Sequence, residues 1–429
     1  MFTPGRLVAV MIATATVLTA CGDDGDAAAG TELTLWHYES PDSAMGVAWN
    51  KAIEEFERTH DGVTVKFEEK GFEQIQKSAQ MVLNSDEAPD LLEYNKGNAT
   101  AGLLSKQGLL TDLSDVVTER GWDDKLSPSV QTTCKYDERG VMGGDRWFGV
   151  PNYAEYTMVY YNKDLFDQHG VAVPTSLDEL TAAMDTFVDK GVTPLSVGAK
   201  EYPAQQILYQ LALSKADSDW VRGFQQYDGE VDFHDQAWTY GAETFADWVE
   251  KGYLSQDSTG IDAESMGVAF MEGKFPMMIS GSWWYGRVQS TVKDFAWDTF
   301  LFPGSDLALG SSGNLWVVPE NSPNKELAYD FIDITMQPDI QALLGNSGGI
   351  PVAADVSAIT DEPSRKLVEN YQTLVERDGL GYYPDWPVPG YYDVLVSATQ
   401  KLISGSASPH EVLGELAGPY EENLATIGS

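Results

Sequence analysis

The sequence predicts an α/β chain of two domains, and three observations predict it. The 429 residues exceed one ordinary domain and suit two large ones. From Glu32 onward, strand and helix patterns alternate in the order of a parallel α/β sheet. At Val150-Pro151 the chain reads as crossing to a second domain, where another buried strand begins. Hydrophobic residues at 43% and charged residues at 22% allow a packed core and exclude a wholly disordered chain.

Each element has its own signal. Leu33 and Leu35 alternate with polar residues, which predicts a first strand ending near Trp36. Met45, Ala48, Trp49, Ala52, Ile53 and Phe56 recur at helical spacing and form one apolar face, and His60-Asp61-Gly62 stops that helix. Val63, Val65 and Phe67 alternate in a second strand. Pro89-Asp90 introduces a third, Leu91 to Tyr94. Ligands of such sheets sit beyond the carboxyl ends of the strands. That rule places Tyr38 and Glu39 on one candidate loop, and Tyr94, Asn95 and Asn98 on another. Thr157 to Leu165 reads as a buried strand followed by a turn, and helical patterns fill 176–190, 203–215 and 236–251. Ser322 as cap and Pro323 at the first position predict a helix over 323–336, which Pro338 ends.

Residues 1–30 do not read as fold. Arg6 precedes an uncharged run, Leu7 to Ala20, of signal-peptide length and shorter than the about 20 residues of a membrane span. The run ends Leu18-Thr19-Ala20-Cys21, which looks like a bacterial lipobox. Residues 1–20 are therefore expected to be a lipoprotein signal peptide, with Cys21 lipidated and 21–30 a small, acidic tether. The alternative is an ordinary secretory signal that contains a cysteine. Asp23, Asp24 and Asp26 also have the composition of a metal loop, although no metal or cofactor is expected. With Cys21 acylated, Cys134 has no disulfide partner and reads as a lone, partly buried thiol.

Sixty-six acidic against 27 basic residues give a formal net charge of −39. That surface repels nucleic acid and anionic lipid, so membrane contact is expected through the anchor only. The five histidines, at 37, 60, 169, 234 and 410, are scattered. No zinc-hydrolase or phosphate-loop motif occurs. What stands out is aromatic placement. Trp283, Trp284 and Tyr285 lie between glycines, and Tyr382 to Tyr392 holds five aromatics among prolines. Consecutive aromatics cannot all face one core, and glycine and proline argue for loops. Sugars offer flat C–H faces to such rings and hydroxyl rims to Asp, Glu, Asn and Arg. Packing between domains is the plainer reading of the same clusters.

Five segments resemble the family 1 extracellular solute-binding proteins, the maltose-binding-protein-like sugar receptors of ABC importers. They are Glu32 to Trp36, Ala88 to Leu92, Thr157 to Phe166, Pro276 to Trp283 and Ser322 to Ala328. The resemblance runs from about residue 31 to 422. It implies a two-lobed periplasmic-binding-protein-like fold of type II, each lobe a mostly parallel sheet flanked by helices, with the ligand cleft at a hinge. The implied lobes are 31–152 plus 311–350, and 153–310 plus 351–429. By position, Tyr38, Glu39, Tyr94 and Asn95 fall on binding loops of the first lobe. Glu155 matches a sugar-contacting carboxylate, and Trp283, beside Trp284, matches a stacking tryptophan. Trp386 and Tyr392 compete as second stacking aromatic. The family's basic residue after that aromatic is missing, since Val394, Leu395 and Val396 follow.

The expected function is thus non-catalytic binding of a neutral di- or oligosaccharide by a monomer on the extracytoplasmic face of the membrane. The expected partners are the transmembrane subunits of an ABC permease. A secreted hydrolase or lyase using paired carboxylates, and a receptor for a non-sugar solute such as a polyamine or glycerophosphate ester, are the alternatives.

Overall fold

A computed structural model describes residues 31–427. The expected signal peptide, the tether and Cys21 lie outside the described residues.

Strand β1 (Thr31–His37) sends Leu33 and Leu35 into the core. Helix α1 (Ala44–Thr59) buries Met45, Ala48, Trp49, Ala52 and Phe56, the predicted apolar face without Ile53. The Ser43 hydroxyl caps it by accepting the Gly46 N–H at 2.9 Å. Strand β2 (Val63–Glu69), helix α2 (Phe72–Leu83) and strand β3 (Leu91–Tyr94) follow. β1 lies between β2 and β3 and runs parallel to both. Leu315–Val317 then pairs antiparallel with β3, and Val150–Pro151 forms the far edge of this five-stranded sheet.

The second sheet is organised on Tyr153–Asn162, a ten-residue strand buried along its whole length. Met277–Gly281 and Trp297–Phe300 flank it antiparallel, and Leu195–Ser196 adds parallel to Met277–Gly281. Gly310–Ser312 and Ile350–Pro351 pair antiparallel with its first residues. The mostly parallel pattern expected of both lobes therefore holds for β1 to β3 and not for the second sheet. Part of the reason is the hinge. The chain leaves the first sheet at Asn152 and returns at Gly313-Asn314, so the segments on either side of those crossings run in opposite directions. This return falls just past the boundary implied at 311.

The structure departs from the local signals at three points, the first of them for a tertiary reason. The helix expected from Pro323 begins at Lys325, with Asn324 at the cap. Ser322 is used elsewhere: its hydroxyl donates to Asp90 Oδ1 at 2.9 Å and accepts the Asn324 N–H at 3.1 Å. Pro338 ends that helix and also opens the next, Pro338–Asn346, at its first position. The turn expected after Asn162 is the helix Lys163–His169, capped by the Asn162 side chain. Cys134 is fully buried and free, and burial pushes its thiol far above the ordinary range.

The loop after β3 is pressed against the C-terminal aromatic run. The Ala99 N–H donates to the Trp386 carbonyl at 2.8 Å. Gly97 has φ +105°, and a Cβ there would lie 2.6 Å from Trp386 Cγ. Glycine satisfies both demands at once. Gly97→Ala is expected to cost about 2 kcal/mol or more, seen as a lower urea midpoint at unchanged m-value.

Candidate functional site

A cavity of about 440 Å³ lies between the lobes. The loop after β1 contributes Tyr38, Glu39 and Ser43, the start of α2 contributes Phe72 and Glu73, and the loop after β3 contributes Asn95 and Lys96. The hinge segments supply Tyr153, Glu155 and Asn314. The second lobe and C-terminal region supply Tyr202, Trp283, Trp284, Arg287, Tyr383, Asp385, Trp386 and Tyr392. The cavity sits at the carboxyl ends of β1 and β3, where an open α/β sheet binds its ligands.

Of the nine residues expected at the site, eight line this cavity: Tyr38, Glu39, Asn95, Glu155, Trp283, Trp284, Trp386 and Tyr392. Tyr94 does not. Side chains alternate along a strand, so Tyr94 packs into the core while its neighbours Glu93 and Asn95 face the other way. Asn98 is also structural: its side chain donates to the Gln225 carbonyl at 2.8 Å and accepts the Met142 N–H at 2.7 Å.

A buried ion pair forms the floor. Lys96 Nζ lies 2.5 Å from Glu155 Oε1, with side-chain exposures of 2% and 7%. The same ammonium donates to Asn314 Oδ1 at 3.2 Å and stands 5.6 and 5.4 Å from the ring centres of Tyr383 and Trp386. Glu39 has weaker support, accepting from the Ser43 hydroxyl at 3.3 Å and the Tyr153 hydroxyl at 3.4 Å. Burial, then the charge of Glu155, pushes its carboxyl from 4.5 up to about 7. Burial and the nearby Glu39 push Glu93 well above the carboxylate range, against the pull of Lys96. Burial likewise lifts Asp385 to about 6.

Two contacts cross the rim. Arg287 makes a two-pronged pair with Glu264, at 2.7 and 2.9 Å, and its Nε reaches Asp42 of the first lobe at 3.3 Å. Tyr392 donates to Glu73 Oε1 at 2.6 Å and accepts the Tyr202 N–H at 3.1 Å.

Aromatic rings form a continuous run across the cleft. Tyr38 meets Phe72 at 5.2 Å, Phe72 meets Tyr202 at 6.3 Å, and Tyr202 meets Trp283 at 5.9 Å. Trp283 meets Tyr383 at 6.4 Å, and Tyr383 meets Trp386 at 5.4 Å. Their availability differs. Trp386 is 1% exposed, held between Gly97 and Lys96. Trp284 is sunk against the helix Ala263–Met271, where a Cβ on Gly267 would lie 2.2 Å from its ring. Tyr391 and Tyr392 start the helix Tyr391–Ser404, so the proline-rich run is not loop throughout. Trp283 keeps a partly open face by folding back over Gly281.

Lys96, Phe72, Tyr153, Tyr202, Asn314, Tyr383 and Asp385 were not anticipated. Tyr383 and Asp385 lay within the proline-rich aromatic run, and Lys96 directly follows Asn95. Phe72, Tyr202 and Asn314 carried no local signal.

Two lobes enclosing a cleft of rings and carboxylates define a two-domain binding-protein fold. Residues 51–370 match the family described as bacterial extracellular solute-binding protein, and the chain belongs to that family. It is 24% identical to a probable sugar-binding periplasmic protein of Brucella suis, over 74% of this chain and 75% of that one. It is 22% identical to a maltotriose-binding protein of Pyrococcus abyssi, over 76% and 67%. Among solved structures, a chitin oligosaccharide binding protein superposes with a TM-score of 0.78 at 21% identity, covering 92% of this chain and 99% of that one. A substrate-binding protein from Listeria monocytogenes in complex with cycloalternan gives 0.74 at 20%, covering 93% and 99%. These likenesses show the two-lobed fold.

Two stability effects follow from the floor. Lys96→Ala leaves Glu155 buried and unpaired and is expected to cost about 3–5 kcal/mol, whereas Lys96→Met with Glu155→Leu recovers most of it. Chemical denaturation measures both. Glu39 is bound to a proton more tightly when folded, so its contribution is full below pH 4.5 and is lost as pH rises through about 7. Glu39→Gln is therefore expected to raise Tm relative to the parent at pH 8 and to leave it nearly unchanged at pH 4.5.

Proposed function

We propose that this protein is a sugar receptor that binds a di- or oligosaccharide between its lobes and delivers it to ABC permease transmembrane subunits. It acts as a monomer, on the extracytoplasmic face of the cell membrane, held there by lipid on Cys21 after removal of residues 1–20. The observation that carries this reading is the run of rings facing buried hydrogen-bond acceptors inside one inter-lobe cavity. Rings take the C–H faces of pyranoses, and Glu39, Asn95, Asp385 and Asn314 take hydroxyls. The printed names of the relatives, sugar-binding and maltotriose-binding, agree with it. Binding without catalysis fits the state of Glu155, whose charge is committed to Lys96.

Calorimetry and thermal shift against a broad oligosaccharide panel test the reading. At least one sugar is expected to give heat and raise Tm, and a response only to another solute class would overturn it. Trp283→Ala is expected to weaken that binding by roughly 1–3 kcal/mol. Unchanged affinity removes Trp283 from the site. Cys21→Ser is expected to move the protein from the membrane fraction to the soluble fraction and to abolish lipid labelling.

A further inference from the structure

The charges around the cleft do not balance. Its lining holds two cations, Lys96 and Arg287. Lys96 is committed to Glu155, and Arg287 to Glu264 and Asp42. Glu39 and Asp385 line the cavity with no cation in contact among the described residues. Beside Glu39 lies Glu93, 1% exposed, whose carboxyl interacts with the Glu39 carboxyl and the Tyr38 backbone and meets no cation closer than Lys96 among the described residues. Anionic oxygens withdrawn from water without a countercharge are costly, and a proton or a bound cation relieves them.

A second observation points to the cation. The Tyr383 ring, 4% exposed, lines the cavity, and its hydroxyl has no partner among the described residues. The Lys96 ammonium already stands over the Tyr383 and Trp386 rings at 5.6 and 5.4 Å. The floor thus already pairs one ammonium with ring faces and a carboxylate, and Glu39 and Asp385 offer further carboxylates without a cation of their own beside the same rings.

We propose that the ligand is an amino sugar, whose protonated amine the cleft floor holds between Glu39, Asp385 and the ring faces. This rests on the sugar-receptor reading and specifies its ligand. A hydroxyl can donate to Glu39, but it leaves the negative charge uncompensated. An ammonium group supplies both donors and charge. Burial already holds the Glu39 carboxyl near 7, so at neutral pH a ligand cation competes with a half-bound proton for that oxygen. The uncharged sugar expected from the sequence becomes the control.

The test is calorimetry of the whole mature chain at pH 7.0 and low salt, using matched pairs of sugars. Glucosamine is set against glucose, the free-amine disaccharide of chitobiose against cellobiose and N,N′-diacetylchitobiose, and galactosamine against galactose and lactose. The free-amine member of a pair is expected to bind at least about tenfold tighter, the scale of one charge-assisted hydrogen bond. Raising salt to 0.5 M is expected to shrink that ratio. Glu39→Gln, and independently Asp385→Asn, are expected to reduce it below threefold, whatever either does to absolute affinity.

Equal or tighter binding of the uncharged partners overturns this inference and leaves the sugar receptor standing. Choline or putrescine binding as tightly as the amino sugar overturns it too. No binding by any sugar, here or in the broad panel, overturns both.

Discussion

The Lys96–Glu155 pair fixes how the two lobes meet. Lys96 belongs to the loop after β3, Glu155 to the first residues of the long strand of the second sheet, and Asn314 to the returning crossing. Burying these charges is tolerable only while they touch, and losing one partner strands the other. The pair therefore fastens three segments that are distant in sequence at the hinge itself. Around it the remaining geometry falls into place. Gly97 can approach Trp386 closely, Tyr153 can receive the Asn314 amide at 2.5 Å, and Tyr383 and Trp386 can stack beside the ammonium. The floor is rigid because every polar atom of Lys96 has a use and every ring beside it is wedged.

Much of this was legible in the sequence wherever a local signal and the tertiary outcome agree. Leu33 and Leu35, the face of α1, and the strand rich in tyrosine before Asn162 all follow period rules. The loops after β1 and β3 follow from topology. Where sequence and structure differ, a distant partner takes a local residue in one case and the strand pleat decides in another. Ser322 would cap a helix, but Asp90 takes its hydroxyl. Tyr94 and Asn95 were chosen together, although the pleat sends one inward and the other to the cleft. The two aromatic clusters also divide. Trp283 keeps an open face, while Trp284 and Trp386 fill notches left by Gly267 and Gly97. Which glycine lies opposite which ring depends on chain segments far apart in sequence. Phe72, Tyr202 and Asn314 reach the cavity only through the meeting of lobes, and no spacing rule announces them.

The electrostatics of the cleft and of the surface are separate matters. The net charge of −39 acts in water, where screening is strong, and sets solubility and the exclusion of polyanions. The carboxylates of the cleft act where water is scarce. Glu39, Glu93 and Asp385 all shift toward their neutral forms for the same reason, burial. A site in that condition has free energy to release on meeting a hydrogen-bond donor, and more on meeting a cation. Affinity in such a cleft thus arises as much from the poor state of the empty site as from the quality of the new contacts.

The rim contacts are of another kind from the floor. Arg287 reaches an Asp42 side chain that is 54% exposed, and Tyr392 holds a Glu73 that is 30% exposed and shared with Lys77. Contacts of this exposure are worth about 1 kcal/mol or less. They cannot hold the lobes together by themselves, and a receptor that closed strongly when empty would discriminate poorly. A rotation about Asn152 and Gly313-Asn314 moves the rim furthest and the neighbouring Lys96–Glu155 pair least. Such a rotation would break the weak contacts, keep the strong one, and draw Tyr38 and Phe72 away from Tyr202 and Trp283. The closed arrangement then depends on whatever bridges those rings, since a ligand shifts a conformational balance only by contacts it makes in one state and not the other. Under the proposed receptor function, the division of strong floor and weak rim would couple ligand to closure.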